Sequence, residues 1–415
     1  MRSGARAARA SLGASPRAPA SPVRVALVFS RFHQQGGSER QVYMLSRDLS
    51  AAGHEVHVFC RLVRDSAPPG VLLHVMPRLP LGPLLELLLF SAWARRAIAS
   101  YERRHEPFDV RHAFGRTLGQ DVYRVGGGSH RTYLDHAHAL ERAPWLRRLA
   151  AATPLQRLKV SMEERSLRGE PRAVVITNSA MVRDDLARRY DLDAQRLVII
   201  RNGVDLDLFR PASAAERAGT RRAWGLDDSH QVALVLGAAY ARKGLQPALR
   251  ALALLAATQP KLRLVVAGKE RRPRLWRRLA QQLGVADRVV WLGACVTPET
   301  TYRGADVFVL PTAYDAAANS TLEALACGLP VITSAMNGAA EILEPGTHGE
   351  VLPSPVHPDD LAAAMLRWID RDDREQLATR TRTVASRYPS SHASQRVVDV
   401  YHDLPPRLPT AGAIS

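Results

Sequence analysis

Lysine is scarce in this chain: Lys159, Lys243, Lys261 and Lys269 are four of 57 basic residues, so the other 53 (57 − 4) are arginine. Cysteine is scarcer still. Cys60, Cys295 and Cys327 are odd in number and far apart, which argues against a disulfide framework and for a reducing, cytoplasmic setting. Aromatic residues make up 6% and do not cluster, and no recognised nucleic-acid module is present, so nucleic acid is not an expected partner. No paired-histidine spacing, cysteine cluster or Asp-x-Asp motif stands out, so no metal is expected. Long apolar runs are missing too. The most apolar stretch, "LPLGPLLELLLFSAWARRAIASYERR", is interrupted by Pro83 and Glu86, turns basic after Trp93 and is too short to span a bilayer.

What the chain has in excess is positive charge, a formal +17. That balance suits attraction to phosphates, nucleic acid or an anionic membrane surface, or reflects a general arginine and alanine bias. Arg2, Arg6, Arg9 and Arg17 lie in a leader, residues 1–22, without a single acid. The leader lacks the apolar core of a signal peptide and reads as a disordered basic tail, with a transit peptide as the compositional alternative.

The 415 residues suit two domains of roughly 100–200 residues each. Short apolar runs alternate with helix-period segments. Strands are expected at 23–29, 55–60, 109–114, 121–125, 173–177 and 197–201, with a helix over "ERQVYMLSRDLSAAG". After "RNGVDLDLFRP" the series restarts with strands at 231–237, 261–268, 288–293, 306–311 and 330–333, and helices from 245, near 273–283 and from 320. Alternation of this kind implies parallel sheets built from right-handed crossovers, here two doubly wound α/β domains. The expected division is leader 1–22, an N-terminal domain 23–205, a C-terminal domain 206–385, and a last helix and tail, 386–415, returning to the N-terminal domain. Ligands of such sheets sit beyond the carboxyl ends of the strands, which marks the loops at 30–38, 113–121, 126–132, 237–244, 268–272 and 311–319.

Four of those places carry chemistry. In "FHQQGGSER", Gly36 and Gly37 let backbone pass close to a ligand at a helix start, although Ser38 and Gln41 also match a plain capping box. In "GAAYARKGL", Arg242 offers a flat fork and Lys243 a point charge, together able to neutralise a diphosphate; a solvated loop pair is the plainer alternative. In "LPTAYDAAANSTLEALACGLPVIT", Ser320 and Glu323 match a capping box, so Glu323 has a structural explanation, with Gly328 and Pro330 ending the helix. Asp315, beside Ala316, Ala317 and Ala318, has none. Small residues there admit a sugar, and the N–H groups of Asn319, Ser320, Thr321 and Leu322 can hold phosphate oxygens. In "DVYRVGGGSHRTY", His130 follows a glycine run expected to face the cleft, and Arg116 in "FGRT" is a weaker candidate; His112 reads as structural.

Asp315-x7-Glu323 resembles the E-x7-E signature of the retaining family 4 glycosyltransferases. "ARKG" resembles that family's diphosphate-binding pair, "GGSER" its N-terminal glycine loop, and "VIIRNGVDLDLFRP" its segment at the domain junction. The likeness runs over roughly residues 23–385 and looks closest to lipopolysaccharide core glucosyltransferases. It implies a GT-B architecture, two facing Rossmann-like domains, with a nucleotide sugar (UDP-glucose first) as donor substrate. It further implies transfer with retention to a glycan or glycolipid acceptor, no metal or other cofactor, and a cytoplasmic location. The apolar-to-basic segment 81–104 and the arginine excess resemble the acceptor-side surface of transferases that act on lipid-linked glycans at the inner face of the cytoplasmic membrane, with a helix packed on the N-terminal sheet as the equal alternative. Arg242, Lys243, Asp315 and His130 are then the expected catalytic residues. Gly36, Gly37 and residues 316–323 would bind the donor. Two departures stand out: Asp replaces the usual first Glu, and the usual His or Asp at the end of an N-terminal strand is a glycine. A catalytically silent nucleotide-sugar-binding module and a sugar-nucleotide epimerase share these features and remain alternatives.

Overall fold

"VRVALVF" and "QVALVLG" become the central strands of two separate parallel sheets. A computed structural model describes residues 21–34, 36–77, 82–137, 152–295 and 297–405. The basic leader up to residue 20, the tail from 406 and Leu81 of the apolar-to-basic segment lie outside the described residues.

In the first sheet β1 (Arg24–Val28) pairs in parallel with β2 (Glu55–Cys60) on one side and β4 (Val110–Ala113) on the other. Adding β3 (Val71–Val75), β5 (Val122–Arg124), β6 (Val174–Thr177) and β7 (Leu197–Ile199), the order is β3-β2-β1-β4-β5-β6-β7. The second sheet centres on β8 (Gln231–Leu236). With β9 (Leu262–Ala267), β10 (Val289–Gly293), β11 (Val307–Leu310), β12 (Val331–Ser334) and β13 (Gly349–Leu352) its order is β10-β9-β8-β11-β12-β13. Both orders reverse beside the central strand, the crevice-forming topology of dinucleotide-binding folds.

The strands read as unbroken apolar runs because helices cover both faces. Val25 and Leu27 pack on Val42, Leu45 and Leu49 of the Ser38–Ala51 helix, while Ala26 and Val28 point the other way, to Phe90, Ala94 and Ile98 of the Pro83–Glu102 helix. The second sheet alternates likewise, Ala233 and Val235 meeting Leu245 and Leu252, and Val232 and Leu234 meeting Leu322 and Leu325. Strands β3 and β13 were not expected. Both are edge strands, and each has fewer covered residues than a central strand: Leu72 and Val75 lie open to solvent, and "GEVL" holds only two apolar side chains.

Two chain segments cross between the domains side by side, bonded by Val204 N–H to the Tyr388 carbonyl (2.9 Å) and Ser390 N–H to the Val204 carbonyl (3.0 Å). The Ser390–His402 helix then lies on the first domain. Val397, Val398 and Tyr401 join its core, and Ser394 Oγ donates to Asp48 Oδ2 at 2.6 Å. Further contacts bridge the crevice. Glu341 accepts the N–H groups of Ala180 (3.0 Å) and Met181 (2.7 Å) at the start of the Ala180–Tyr190 helix and pairs with Arg201 at 2.7 Å. Ser179 Oγ donates to the Ala316 carbonyl at 2.7 Å. The loops that the strand-end rule singles out are thereby brought face to face.

Candidate active site

Beyond the carboxyl end of β8 the chain turns through Gly237 and reaches Arg242 and Lys243 just before the Leu245–Leu255 helix. Lys243 folds back across the strand end. A Cβ on Gly237 (φ +156°) would stand 2.9 Å from Lys243 Cε, so only glycine leaves the lysine stem its bed. The ammonium, on a residue 8% exposed, lies 2.7 Å from Asp315 Oδ2. Arg242 Nη1 meets the same oxygen at 2.8 Å and donates to the Tyr314 carbonyl at 3.0 Å. The loops are laced together: the Arg242 carbonyl accepts the Ala313 N–H and the Thr312 hydroxyl, both at 2.8 Å.

Burial alone would raise the Asp315 pKa, but Lys243 and Arg242 outweigh it and bring it down to about 2. Burial lowers that of Lys243, and Arg242 adds to the effect while Asp315 opposes it. The directions fit a simple count: two cations share one carboxylate, and a net positive charge is left in a site with little water.

Asn337 holds the small-residue loop in place. Its Oδ1 accepts the N–H groups of Ala318 (3.2 Å) and Ala339 (3.1 Å), and its Nδ2 donates to Thr321 Oγ1 (2.9 Å) and Thr333 Oγ1 (3.0 Å). The helix after this loop spans Asn319–Ala326, with Ala318 at its N-cap and no side-chain cap. Here the capping-box expectation fails. The helix begins one residue before Ser320, so Ser320 and Glu323 fall too far inside to cap it. Glu323 instead accepts the Tyr302 hydroxyl at 2.9 Å and faces Arg40 of the other domain at 3.5 Å. Burial raises its pKa, against the pull of Arg40 and Tyr302. The capping explanation for Glu323 is therefore removed, and its carboxylate stands at the domain boundary. Gly328 does end this helix as expected, its φ at +83° and the Leu329 N–H reaching back to the Ala324 carbonyl.

The same correction applies at Ser38. It is the first residue of its helix, with Gly37 at the uncapped N-cap, and the Gln41 side chain donates to Asn202 rather than closing a box. Gly36 has φ +103° and leads into this turn. Asn202 reaches across to the other domain through Asn319 Oδ1 (2.7 Å) and the Ala317 carbonyl (3.2 Å). The structure thus brings Arg242, Lys243, Asp315, the backbone of 316–319 and Glu323 into one region, with the Gly36–Gly37 turn opening the helix that carries Arg40. Ala316, Ala318, Thr321 and Leu322 have buried side chains, so they can offer a ligand only backbone.

His130 does not join this group. It opens the His130–Ala137 helix with its N–H on Glu163 (2.9 Å) and its Nε2 2.6 Å from Gln156 Oε1. Burial first, then Arg116, lowers its pKa to about 4, so the ring is neutral near pH 7. Arg116 is drawn to the same acid, Glu163, at 3.4 Å, and Tyr190 donates to it at 2.8 Å. The buried carboxylate organises a scaffold cluster, and His130 belongs to it. The glycines before His130 do reach the cleft: a Cβ on Gly128 (φ +73°) would fall 1.8 Å from the Tyr314 hydroxyl. His112 is fully buried, with Nδ1 2.6 Å from the Tyr401 hydroxyl, as a structural histidine should be.

Arg40, Asn202, Tyr302 and Asn337 are site neighbours that sequence reasoning passed over. Asn337 follows β12 at its carboxyl end, and Arg40 sits inside "GGSER", so the strand-end rule and the quoted motif each held a usable signal. Among the described residues no group of three or more His, Cys, Asp or Glu side chains is arranged to hold a metal ion.

Comparison with known proteins agrees with this geometry. Residues 35–208 match the family model described as Glycosyltransferase Family 4, and residues 216–384 that described as Glycosyl transferases group 1. A D-inositol 3-phosphate glycosyltransferase from Thermomonospora curvata is 31% identical over 374 residues, covering 83% of this chain and 85% of that protein. Among solved structures, WaaG, a glycosyltransferase involved in lipopolysaccharide biosynthesis, superposes with a TM-score of 0.78 at 22% identity, over 91% of this chain and 99% of WaaG. HepE from Anabaena, in complex with UDP and glucose, gives 0.68 at 18% identity, over 92% of this chain and 100% of HepE. With both halves matched and a relative of that identity spanning most of the chain, the protein belongs to glycosyltransferase family 4 and is a glycosyl-transferring enzyme of the GT-B fold.

Proposed function

We propose that this transferase moves a hexose, with retention of configuration, from a nucleotide-diphosphate sugar to a glycan or lipid-linked acceptor of the cell envelope, lipopolysaccharide being the first candidate. The observation that carries the reading is the surplus positive charge where Arg242 and Lys243 share Asp315. A diphosphate entering beside the uncapped Asn319–Ala326 helix supplies the missing anion. UDP-glucose is the first donor to test: HepE is a fold neighbour that holds UDP and glucose, and WaaG acts in lipopolysaccharide biosynthesis.

In this mechanism the acceptor hydroxyl attacks the anomeric carbon on the face the diphosphate leaves. The carbon–oxygen bond to the β-phosphate breaks, its electron pair goes to the phosphate oxygen, and that oxygen takes the acceptor's proton. Lys243 and Arg242 hold the charge that develops there and stand in for a divalent ion. Both basic contacts of Asp315 fall on Oδ2, so Oδ1 is the oxygen assigned to a sugar hydroxyl. Glu323 holds the ribose. Positioning and charge stabilisation carry the catalysis, with no carboxylate nucleophile.

A thermal-shift panel of UDP-, GDP- and ADP-sugars, followed by product analysis with the best stabiliser, tests this. UDP-glucose should give the largest rise, and the product should keep the donor's anomeric configuration. Stabilisation by none of them removes the donor site. Stabilisation without transfer or hydrolysis indicates a silent binding module, and a changed sugar without acceptor indicates an epimerase.

The proposal extends to an anionic membrane surface as the place of work. The Pro83–Glu102 helix buries Phe90, Ala94 and Ile98 but leaves Leu85, Leu88 and Leu89 at 49%, 41% and 38% exposure, followed by Arg95, Arg96, Arg103 and Arg104. Among the described residues no helix is long and apolar enough to cross a membrane. An exposed leucine face with arginines behind it suits lying on one. Cosedimentation with phosphatidylglycerol vesicles should be strong at low salt, fall as salt rises, and be lost in Leu85→Glu/Leu88→Glu. No binding at low salt leaves the helix with its packing role alone.

A further inference from the structure

Arg124, the last residue of β5, is 5% exposed and has no acidic partner among the described residues. Its Nη2 makes two long contacts, to the Ile200 carbonyl at 3.3 Å and Asn202 Oδ1 at 3.4 Å, and its Nε makes none. Burial lowers its pKa only to about 10, so the guanidinium is charged at any ordinary pH. A lone buried charge costs several kcal/mol. Among the described residues the other buried arginine, Arg221, is answered by Asp306 at 2.7 Å.

Arg124 lines a pocket at the hinge, together with Arg40, Gln41, Asn202, Glu323 and Ser390, which come from both domains and both crossing segments. The acids there are engaged elsewhere. Glu323 accepts from Tyr302 and faces Arg40, and Asp205 Oδ1 accepts the N–H groups of Asp207 (3.2 Å) and Leu208 (3.0 Å). Two helices of eight or more residues begin at this pocket, at Asn319 and Ser390, and neither has a side-chain cap. Uncapped helix starts alone would mark nothing. Combined with a buried, unanswered guanidinium, they make a place that lacks an anion.

We infer that the hinge pocket is an anion site for a phosphate group, held by Arg124 and sharing the Asn319–Glu323 wall with the donor cleft. The guanidinium fork matches two phosphate oxygens at once, which an ammonium would not. Because the lining spans both domains, an occupant there favours the closed arrangement of the crevice, by its differential affinity for that state. The inference goes beyond the donor reading, and because the two places share the Asn319–Glu323 helix face, UDP is included in the test. The phosphate could belong to a separate phosphorylated molecule or to the donor's own diphosphate, and the test tells these apart.

The full-length protein and Arg124→Met are compared by thermal unfolding with inorganic phosphate at fixed ionic strength, chloride as control, with and without saturating UDP. The wild type should gain roughly 2 °C or more once phosphate exceeds its Kd severalfold. Arg124→Met should be at least as stable as wild type without phosphate, because it removes an unpaired buried charge, and should lose the phosphate response while keeping the response to UDP. Arg124→Lys, which keeps the charge but not the fork, should retain only part of the phosphate shift. Three results would overturn the inference: no response to phosphate in the wild type; a marked loss of stability or failure to fold in Arg124→Met, which makes the residue a tether for Ile200 and Asn202; or loss of the phosphate response at saturating UDP, which makes the anion the donor's.

Discussion

Lys243→Ala should lower turnover by at least roughly 100-fold, the loss of about 2.7 kcal/mol that follows removal of one well-placed electrostatic group from a developing anion. The side chain is nearly out of solvent, bedded on Gly237, and points its ammonium at the place where a leaving phosphate would replace or join Asp315. Little water is available to substitute for it. Asp315 keeps Arg242 as a partner in the variant, so the loop should hold its shape. A group that acts on the departing diphosphate lowers kcat and kcat/KM together, whereas one that only binds donor raises KM. Turnover is to be measured with the donor chosen by the stabilisation panel, with an unfolding curve to confirm folding. Near-normal kcat in the folded variant takes Lys243 out of the chemistry.

The second large effect is on stability and lies away from the cleft. Asp306, just before β11, accepts Arg217 and Arg374 on Oδ1, and Arg221 (2.7 Å) and the Val232 N–H (2.7 Å) on Oδ2. Arg221 is 1% exposed and is otherwise held by the Gly304 carbonyl (3.0 Å) and the His230 carbonyl (2.8 Å). One carboxylate thus holds three guanidiniums at the foot of the second sheet. Asp306→Asn keeps the shape and removes the charge, leaving a buried cation unpaired, which costs about 3–5 kcal/mol. The midpoint of thermal unfolding should fall by roughly 6–20 °C for a domain of this size. Asp359→Asn, at an exposed pair with His357, should change little and serves as the control. An unchanged midpoint in Asp306→Asn would mean that the arginines rearrange into solvent.

The two-sheet plan was legible because central parallel strands are apolar on both faces, and "VRVALVF", "QVALVLG" and "DVFVLP" announce themselves. Edge strands β3 and β13 were not, since an edge strand with an open face carries less of that signal. Arg242, Lys243 and Asp315 were legible as chemistry that packing did not require. Their meeting on one carboxylate oxygen was not, because residues 242 and 315 are joined only by how β8 and β11 sit side by side. The capping alternative weighed for Glu323 failed for a related reason. A capping box and a ligand carboxylate share one pattern, and a single-residue difference in where the helix begins decides between them. His130, in a loop expected to face the cleft, has its Nε2 2.6 Å from Gln156 Oε1, a pairing that its sequence neighbourhood gave no sign of.

The claim on which the functional account rests is that the Arg242–Lys243 pair grips two linked phosphates. The measurement closest to it is a calorimetric titration of UDP into the wild type and into Arg242→Ala/Lys243→Ala. Two charge-assisted contacts are each worth about 1.5–3 kcal/mol, so UDP should bind the wild type and bind the double variant at least roughly 100-fold more weakly. Equal affinity in the two proteins, with the variant folded, would contradict the account.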